Sequence, residues 1–414
     1  MNPAPRAPLK SLDDALAELL GHATAGLGTE QVSTFDADGR VLAQDVVSAL
    51  HVPPKDNSSM DGYAVRTADV ARPGMVLPMT QRIAAGASGQ ALAAGSVARI
   101  FTGAPIPPGA DAVVMQEDCE ALKGASEPGE VRVNVVPKPG QWIRHAGEDV
   151  MKGAVVLASG ERLTPASLGL AASIGMASLT VVRKPKVALF STGDELVMPG
   201  DVAPLDMKPG AIYNSNRFFL RALLLRLGCE VTDFGIVPDR LDATLDALKK
   251  ASQQQDLILT SGGVSVGEED HIKAAVQALG ELNLWQIAVK PGKPFAYGRI
   301  GSAHFMGLPG NPVSSFITFL VLVRPFLLRL QGVRDVASKS IASNAHFTWA
   351  KADKRREFLR VRRNAAGGLD LFPNQSSGVL TSAVWGDGVV DNPPGRTITH
   401  GDLVQFISFA DLLS

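Results

Sequence analysis

A strand-like apolar run, Asp256 to Thr260, passes through Ser261, Gly262, Gly263, Ser265 and Gly267 into the acids Glu268, Glu269 and Asp270, and then into an amphipathic segment. A strand that turns through glycine into a helix restricts the chain to few architectures. The glycines permit positive φ and close backbone approach, while the helix start presents unpaired N–H groups and the positive end of its dipole. Such a junction can cradle an anion. The interval from Gly262 to Gly267 matches a P-loop, yet carboxylates stand where Lys and Ser or Thr would continue that motif. Acids beside phosphate repel it unless a cation intervenes, and hard oxygen ligands suit Mg2+. Taken alone, the run reads more simply as a glycine turn with a solvated acidic helix start, so its setting decides.

That setting alternates. Strand-like runs at Lys186 to Phe190, Glu230 to Val237, Asp256 to Thr260 and Trp285 to Val289 are separated by helical spacing at Asn216 to Leu227, Leu241 to Ser252 and His271 to Leu279. This pattern predicts a doubly wound, largely parallel α/β sheet, whose ligands bind at the carboxyl ends of the strands. Glu195, Asp239, Asp270, Lys290 and Lys293 follow four such ends and are expected on one rim. Before this region, Ser11 and Asp14 mark the start of an amphipathic helix, and Val46 to Asp149 consists of short apolar runs broken by Pro and Gly. After a helix from Pro312 to about Leu330, short alternating strands from Ile341 onward predict a small β barrel.

At 414 residues the chain exceeds what one core usually organises. Its 45% hydrophobic content and net charge of -1 fit a folded protein with a small ligand, and give no reason to expect nucleic-acid or membrane affinity. Cys119 and Cys229 stand far apart in no Cys/His cluster, so neither a disulfide framework nor a zinc site is expected. The start, Met1 to Lys10, lacks a signal-peptide pattern, and Phe316 to Val323 is shorter than the roughly 20 apolar residues of a membrane span. The expectation is a soluble cytoplasmic protein.

Other polar clusters are ambiguous by themselves. Asp56 to Arg66, which includes Asp61, and Thr102 to Pro105 and Arg144 to Asp149 read as easily as loop punctuation as ligand contacts. The Lys290/Lys293 pair lies in a loop stiffened by Pro291 and Pro294, and an anion would relieve the repulsion of its two ammonium groups. Its alternative is a solvated basic turn.

Together these segments resemble the molybdopterin molybdenumtransferase family, the bacterial MoeA type and the C-terminal domain of gephyrin. The resemblance runs through Asp56 to Arg66, Thr102 to Pro105, Gly109 to Asp118, Ile143-Arg144, Gly147 to Asp149, Ser191 to Leu196, Ser261 to Asp270, Lys290 to Pro294 and Gly307 to Ser314. It implies an N-terminal helix and elongated connector (1–47 with 150–180), a β-rich module (48–149), a molybdopterin-binding α/β domain (181–332) and a C-terminal barrel (333–414). It also implies that the opening helix packs on the α/β domain and that the protein is a homodimer. The implied reaction inserts molybdenum from molybdate into adenylated molybdopterin, with Mg2+-dependent phosphoanhydride cleavage and release of AMP. Matching positions nominate Asp61, Thr102, Arg144, Asp149, Glu195, Asp239, Asp270, Lys290, Lys293, Arg360 and Ser377. By their chemistry Asp239 and Asp270 would organise Mg2+ or polarise attack, while Lys290, Lys293 and the cradle's N–H groups would hold anionic oxygens. Trp142 stands where family members often carry Asn, and Gln286 where some carry Lys. An adenylyltransferase sharing the α/β domain would be a single small domain, and a scaffold would not require these acids and lysines. Transient contact with other cofactor-biosynthesis enzymes is a further expectation.

Overall fold

Ser11 accepts a hydrogen bond from the Asp14 N–H at 3.0 Å and caps the helix Leu12–His22 in the computed structural model, which describes residues 9–24, 26–122, 129–263 and 271–413. Leu12, Ala15 and Leu19 fall on one face of this helix and enter the core of the α/β domain beside Leu327 and Leu330. The chain then makes one half of a connector. Thr29–Ser33 pairs antiparallel with Ser178–Val182, and Val46–Val47 with Val155–Leu157. Leu42, Val46, Leu157, Leu179 and Val181 share one core, so two segments distant in sequence close into one unit.

Between those segments lies a six-stranded sheet in the order Ala112–Met115, Gly62–Val65, Val97–Ile100, Met75–Ile83, Glu130–Val133, Cys119–Ala121. Alternate side chains of a strand face opposite ways, and here both faces are covered: Tyr63 and Val65 enter one core, Ala64 another.

The α/β sheet runs Glu230–Val237, Lys186–Thr192, Leu257–Ser261, Ala303–Leu308, Pro294–Ile300, Gly280–Gln286. The first four strands are mutually parallel, whereas Pro294–Ile300 pairs antiparallel with both of its neighbours. Gly280–Gln286 therefore points the same way as the first four, and the loop from Ile287 to Lys293 emerges at their carboxyl rim. The expected strand Trp285 to Val289 is replaced by Gly280–Gln286 and a short Val289–Lys290, which joins the barrel strand Arg356–Arg363. Pro294–Ile300 and Ala303–Leu308, a tight hairpin turning at Gly301, were not anticipated.

Helix Pro312–Thr318 continues through a π-helical stretch, Phe319–Val323, into Arg324–Leu330. Its 19 residues exceed the apolar run noted in the sequence and would reach across a bilayer by length and composition, but 89% of the apolar window is buried within the protein. The core accounts for its apolarity. Beyond it, Arg356–Arg363 pairs with both Gly368–Leu371 and Gly388–Asn392, and Ile341–Ala345 and Leu403–Ser408 complete the ring. This is a closed five-stranded barrel. Arg356 ties it to the first helix, donating from Nη1 to Asp13 at 2.8 Å and from Nη2 to Asp391 at 2.6 Å.

Candidate active site

Two cavities flank Asn311 at the carboxyl rim of the α/β sheet. The first, about 350 Å³, is walled by Thr192, Glu195, Asn214, Asn216, Ser261 and Gly262. Gly262 and Gly263 have φ of +93° and +69°, and a Cβ on them would approach Thr192 O at 3.0 Å and Ile272 Cγ1 at 2.7 Å. Both glycines are required by backbone conformation and by space. The Gly262 N–H is already donated to Leu308 O at 3.0 Å, so that group is not available to phosphate as the sequence suggested. Ser265, Gly267 and Asp270 lie outside the described residues.

What distinguishes this cavity is unused hydrogen-bonding capacity. Thr192 Oγ1, Asn214 Nδ2 and Asn216 Oδ1, together with the adjacent Ser191 Oγ, are buried and have no partner among the described residues. Buried polar groups are almost always satisfied, so these atoms offer hydrogen-bonding capacity that a polar ligand can use. Asn216 is held in place by its other end, donating from Nδ2 to Ser261 Oγ at 2.8 Å and Gly310 O at 2.7 Å. Sequence reasoning named Ser261, Gly262, Gly263 and Glu195 but missed Asn214 and Asn216. The available signal was a pair of Asn residues at the start of the helix Asn216–Arg226, one of them its first residue and the other two positions earlier. Glu195 folds back over Gly193, where a Cβ would sit 2.5 Å from Glu195 Oε2.

The second cavity, about 310 Å³, brings Lys290, Lys293 and Arg355 together with Gln375, Ser376 and Ser377. The two lysines differ in state. Lys290 Nζ lies 3.0 Å from Glu357 Oε1 and 3.4 Å from Asp353 Oδ2, so its charge is already balanced and the expected mutual repulsion is relieved from within. Among the described residues Lys293 has no ion-pair partner. Asp353 is held well below the usual carboxylate range by its hydrogen bonds from Arg355, with burial opposing and Lys290 adding to the effect. Arg360 does not face the cavity. It is 1% exposed and lies beneath the serine loop, with Nη1 donating to Phe358 O at 2.9 Å and Nη2 to Ser376 O at 3.4 Å. Burial pushes its pKa down to about 10.

Asp239 stands past the end of Glu230–Val237, its N–H donating to Asp194 Oδ1 at 3.4 Å. Among the described residues no three His, Cys, Asp or Glu side chains converge as a metal cage. A Mg2+ ion held by one or two carboxylates plus phosphate oxygens needs no such cage, and the Asp239 carboxylate is the kind of hard oxygen donor that ion takes.

A separate constellation lies on the β-rich module. Asp61 Oδ1 accepts from both the N–H and the Oγ1 of Thr102 at 2.8 Å, and these bonds hold its carboxyl below the usual range. Arg144 sits on a two-residue strand against Asn57, and Asp149 is anchored by its N–H to Val52 O at 3.0 Å. Trp142 precedes them at φ +55°, the sole non-glycine residue with positive φ among those described. Asn tolerates that conformation better than Trp, which explains why Asn is the more natural occupant. Neither rim cavity includes a residue of this module.

Three stretches of the chain match families of known proteins. Residues 10–175 match the MoeA N-terminal region (domain I and II), 188–329 a family described as a probable molybdopterin binding domain, and 343–409 the MoeA C-terminal region (domain IV). A molybdopterin molybdenumtransferase of Haemophilus influenzae is 44% identical over 325 residues, covering 78% of each chain. One of Bacillus subtilis is 38% identical over 307 residues, covering 72% of this chain and 70% of the relative. The crystal structure of a molybdopterin biosynthesis MoeA protein from Pyrococcus horikoshii superposes with a TM-score of 0.77 at 32% identity, covering 97% of this chain and 99% of that one. With the polar cavity, the basic cavity and the closed barrel all in place, the chain belongs to the molybdopterin molybdenumtransferase family of MoeA type.

Proposed function

We propose that this protein transfers molybdenum from molybdate to adenylated molybdopterin and releases AMP in molybdenum cofactor biosynthesis. The observation that carries the reading is the set of buried groups without a partner among the described residues, Thr192 Oγ1, Asn214 Nδ2 and Asn216 Oδ1, around the rim cavity. These are donors and acceptors suited to a polar, phosphate-bearing ligand, and they lie where open α/β sheets bind one. Lys293 supplies positive charge to anionic oxygens in the adjoining cavity, and Ser377 contributes a hydroxyl there. Lys290 and Arg360 act mainly by holding the walls, one pinned to Glu357 and the other under Ser376. Asp239 and Asp270 are the proposed Mg2+ ligands; the ion would offset negative charge on the phosphoanhydride. The reading includes the division into 1–47 with 150–180, 48–149, 181–332 and 333–414, a cytoplasmic location, and hand-over contacts with other enzymes of the same biosynthesis.

In this reading Asp61, Thr102, Arg144 and Asp149 face the rim of a second copy in a homodimer. A two-fold dimer then has two identical composite sites. Incubation with adenylated molybdopterin, molybdate and Mg2+ should release AMP; an adenylyltransferase would instead consume ATP, and a scaffold would do neither. Tagged heterodimers of Asp61→Asn with Asp270→Asn chains should regain activity, because one of their two sites carries no lesion. Heterodimers as inactive as their parents would refute the shared site.

A further inference from the structure

A third cavity, of about 650 Å³, opens where the connector, the end of the core helix, the segment 333–339 and the C-terminal helix Phe409–Leu413 meet. Its walls carry Arg162, Arg324, Arg334 and Lys339, with the carboxylates of Glu161, Asp335 and Asp411. The charges are not equivalent. All three acids are exposed, so solvent and salt screen them, while Arg162 is half-buried and Arg324 only 9% exposed. Arg162 donates from Nε to Gly39 O at 3.2 Å and from Nη2 to Arg226 O at 2.8 Å. Arg324 donates from Nη2 to Asp411 O at 3.1 Å, and its buried Nε has no partner among the described residues. Two arginines from different parts of the fold thus line one cavity, with their guanidinium hydrogen bonds made to neutral carbonyls. Burial pushes the pKa of each down, and the charge of Arg162 lowers that of Arg324 further against the pull of Asp411. Two cations in the partly dry wall of one cavity are relieved by an anion.

The geometry points to a second ligand site here, for a phosphate-bearing anion of nucleotide size, gripped by Arg162 and Arg324 and closed over by Arg334 and Lys339. The volume lies within the roughly 300–1,000 Å³ of small-molecule sites. The Ser167 N–H is taken by Thr164 Oγ1, so the side chains rather than the helix start supply the grip. The site is separate from the reaction rim but mechanically connected with it. Pro312 lines the first cavity, and Arg324, twelve residues further along the same continuous helix, is roughly 18 Å away at 1.5 Å per residue. An anion at Arg324 would therefore clamp the connector and the barrel linker to the far end of the helix that begins at the active site.

The probe is pyrophosphate, titrated calorimetrically into the full-length protein at constant ionic strength with chloride as control, and followed by hydrogen–deuterium exchange. Exchange should slow in 158–167 and 333–339. The rim variant Arg334→Ala/Lys339→Ala should lose that protection and weaken the corresponding binding step by about tenfold or more, as removal of charge-assisted contacts commonly does. Arg324→Gln should act likewise, and because it alters a buried group its fold is checked by circular dichroism; the exposed rim pair decides the matter if it misfolds. Protection confined to the reaction-rim loops, or unchanged pyrophosphate binding in the rim variant, would overturn the assignment.

Discussion

Replacing Lys290 with alanine should destabilise the junction between the α/β domain and the barrel, and not merely weaken ligand binding. Its ammonium is 3.0 Å from a Glu357 carboxylate that is 1% exposed. At that distance and an effective dielectric constant of about 20, the attraction is about 5 kcal/mol. Two features reduce the net effect. The Lys290 side chain is 36% exposed and so partly screened, and Glu357 keeps hydrogen bonds from Trp349 Nε1 at 2.8 Å and Asn392 Nδ2 at 3.3 Å. Removing one partner of a fully buried pair costs roughly 3–5 kcal/mol, so a loss of about 2–3 kcal/mol is expected here. Urea unfolding followed by tryptophan fluorescence measures it, since Trp349 reports directly on Glu357. Lys290→Ala/Glu357→Leu should recover part of the loss, because the buried charge goes with its partner. Lys293→Ala, lacking such a pair, should alter stability by no more than about 0.5 kcal/mol yet weaken binding of adenylated pterin. If Lys290→Ala is as stable as the parent to within about 0.5 kcal/mol, the lysine is not the structural counter-ion described here.

Three further outcomes follow from particular positions. Burial, reinforced by Arg299 and His22, lowers the pKa of His304 from 6.5 to about 4, so the folded state disfavours its protonation; stability should be greatest above pH 6.5 and decline as pH falls toward 4, and His304→Gln should flatten that decline in thermal melts. Gly262→Ala should cut AMP release sharply with a stability loss of about 1–2 kcal/mol, because its φ is +93° and the new Cβ would press on Thr192 O; full activity would show that the turn is not part of the site. Trp142→Asn should raise thermal stability by roughly 0.5–1 kcal/mol, since Asn accepts the left-handed backbone at lower cost; a lower melting temperature would mean that the indole's packing outweighs the strain.

The α/β alternation, its helices and the glycine junction at 260–263 were legible in the sequence because each rests on local physics: side-chain periodicity, a cap such as Ser11, or the φ that glycine permits. Direction and partnership were not. The strand Pro294–Ile300 runs against both neighbours; Gly301-Ser302 is a local mark of the hairpin with Ala303–Leu308, but nothing local says that Gly280–Gln286 pairs on its other side. Lys290 looked like a free cation until the chain returned 67 residues later to place Glu357 beside it. Arg360, nominated as a ligand contact, is turned under the serine loop by the curvature of a closed barrel. Asn214 and Asn216 became candidate site residues only when packing left one end of each buried without a partner among the described residues. Sequence determines which groups a segment can offer, since that depends on residue type and on neighbours within a turn or two. Which of those groups are neutralised, buried or left open to a ligand depends on contacts between distant segments, and those exist only once the chain has folded.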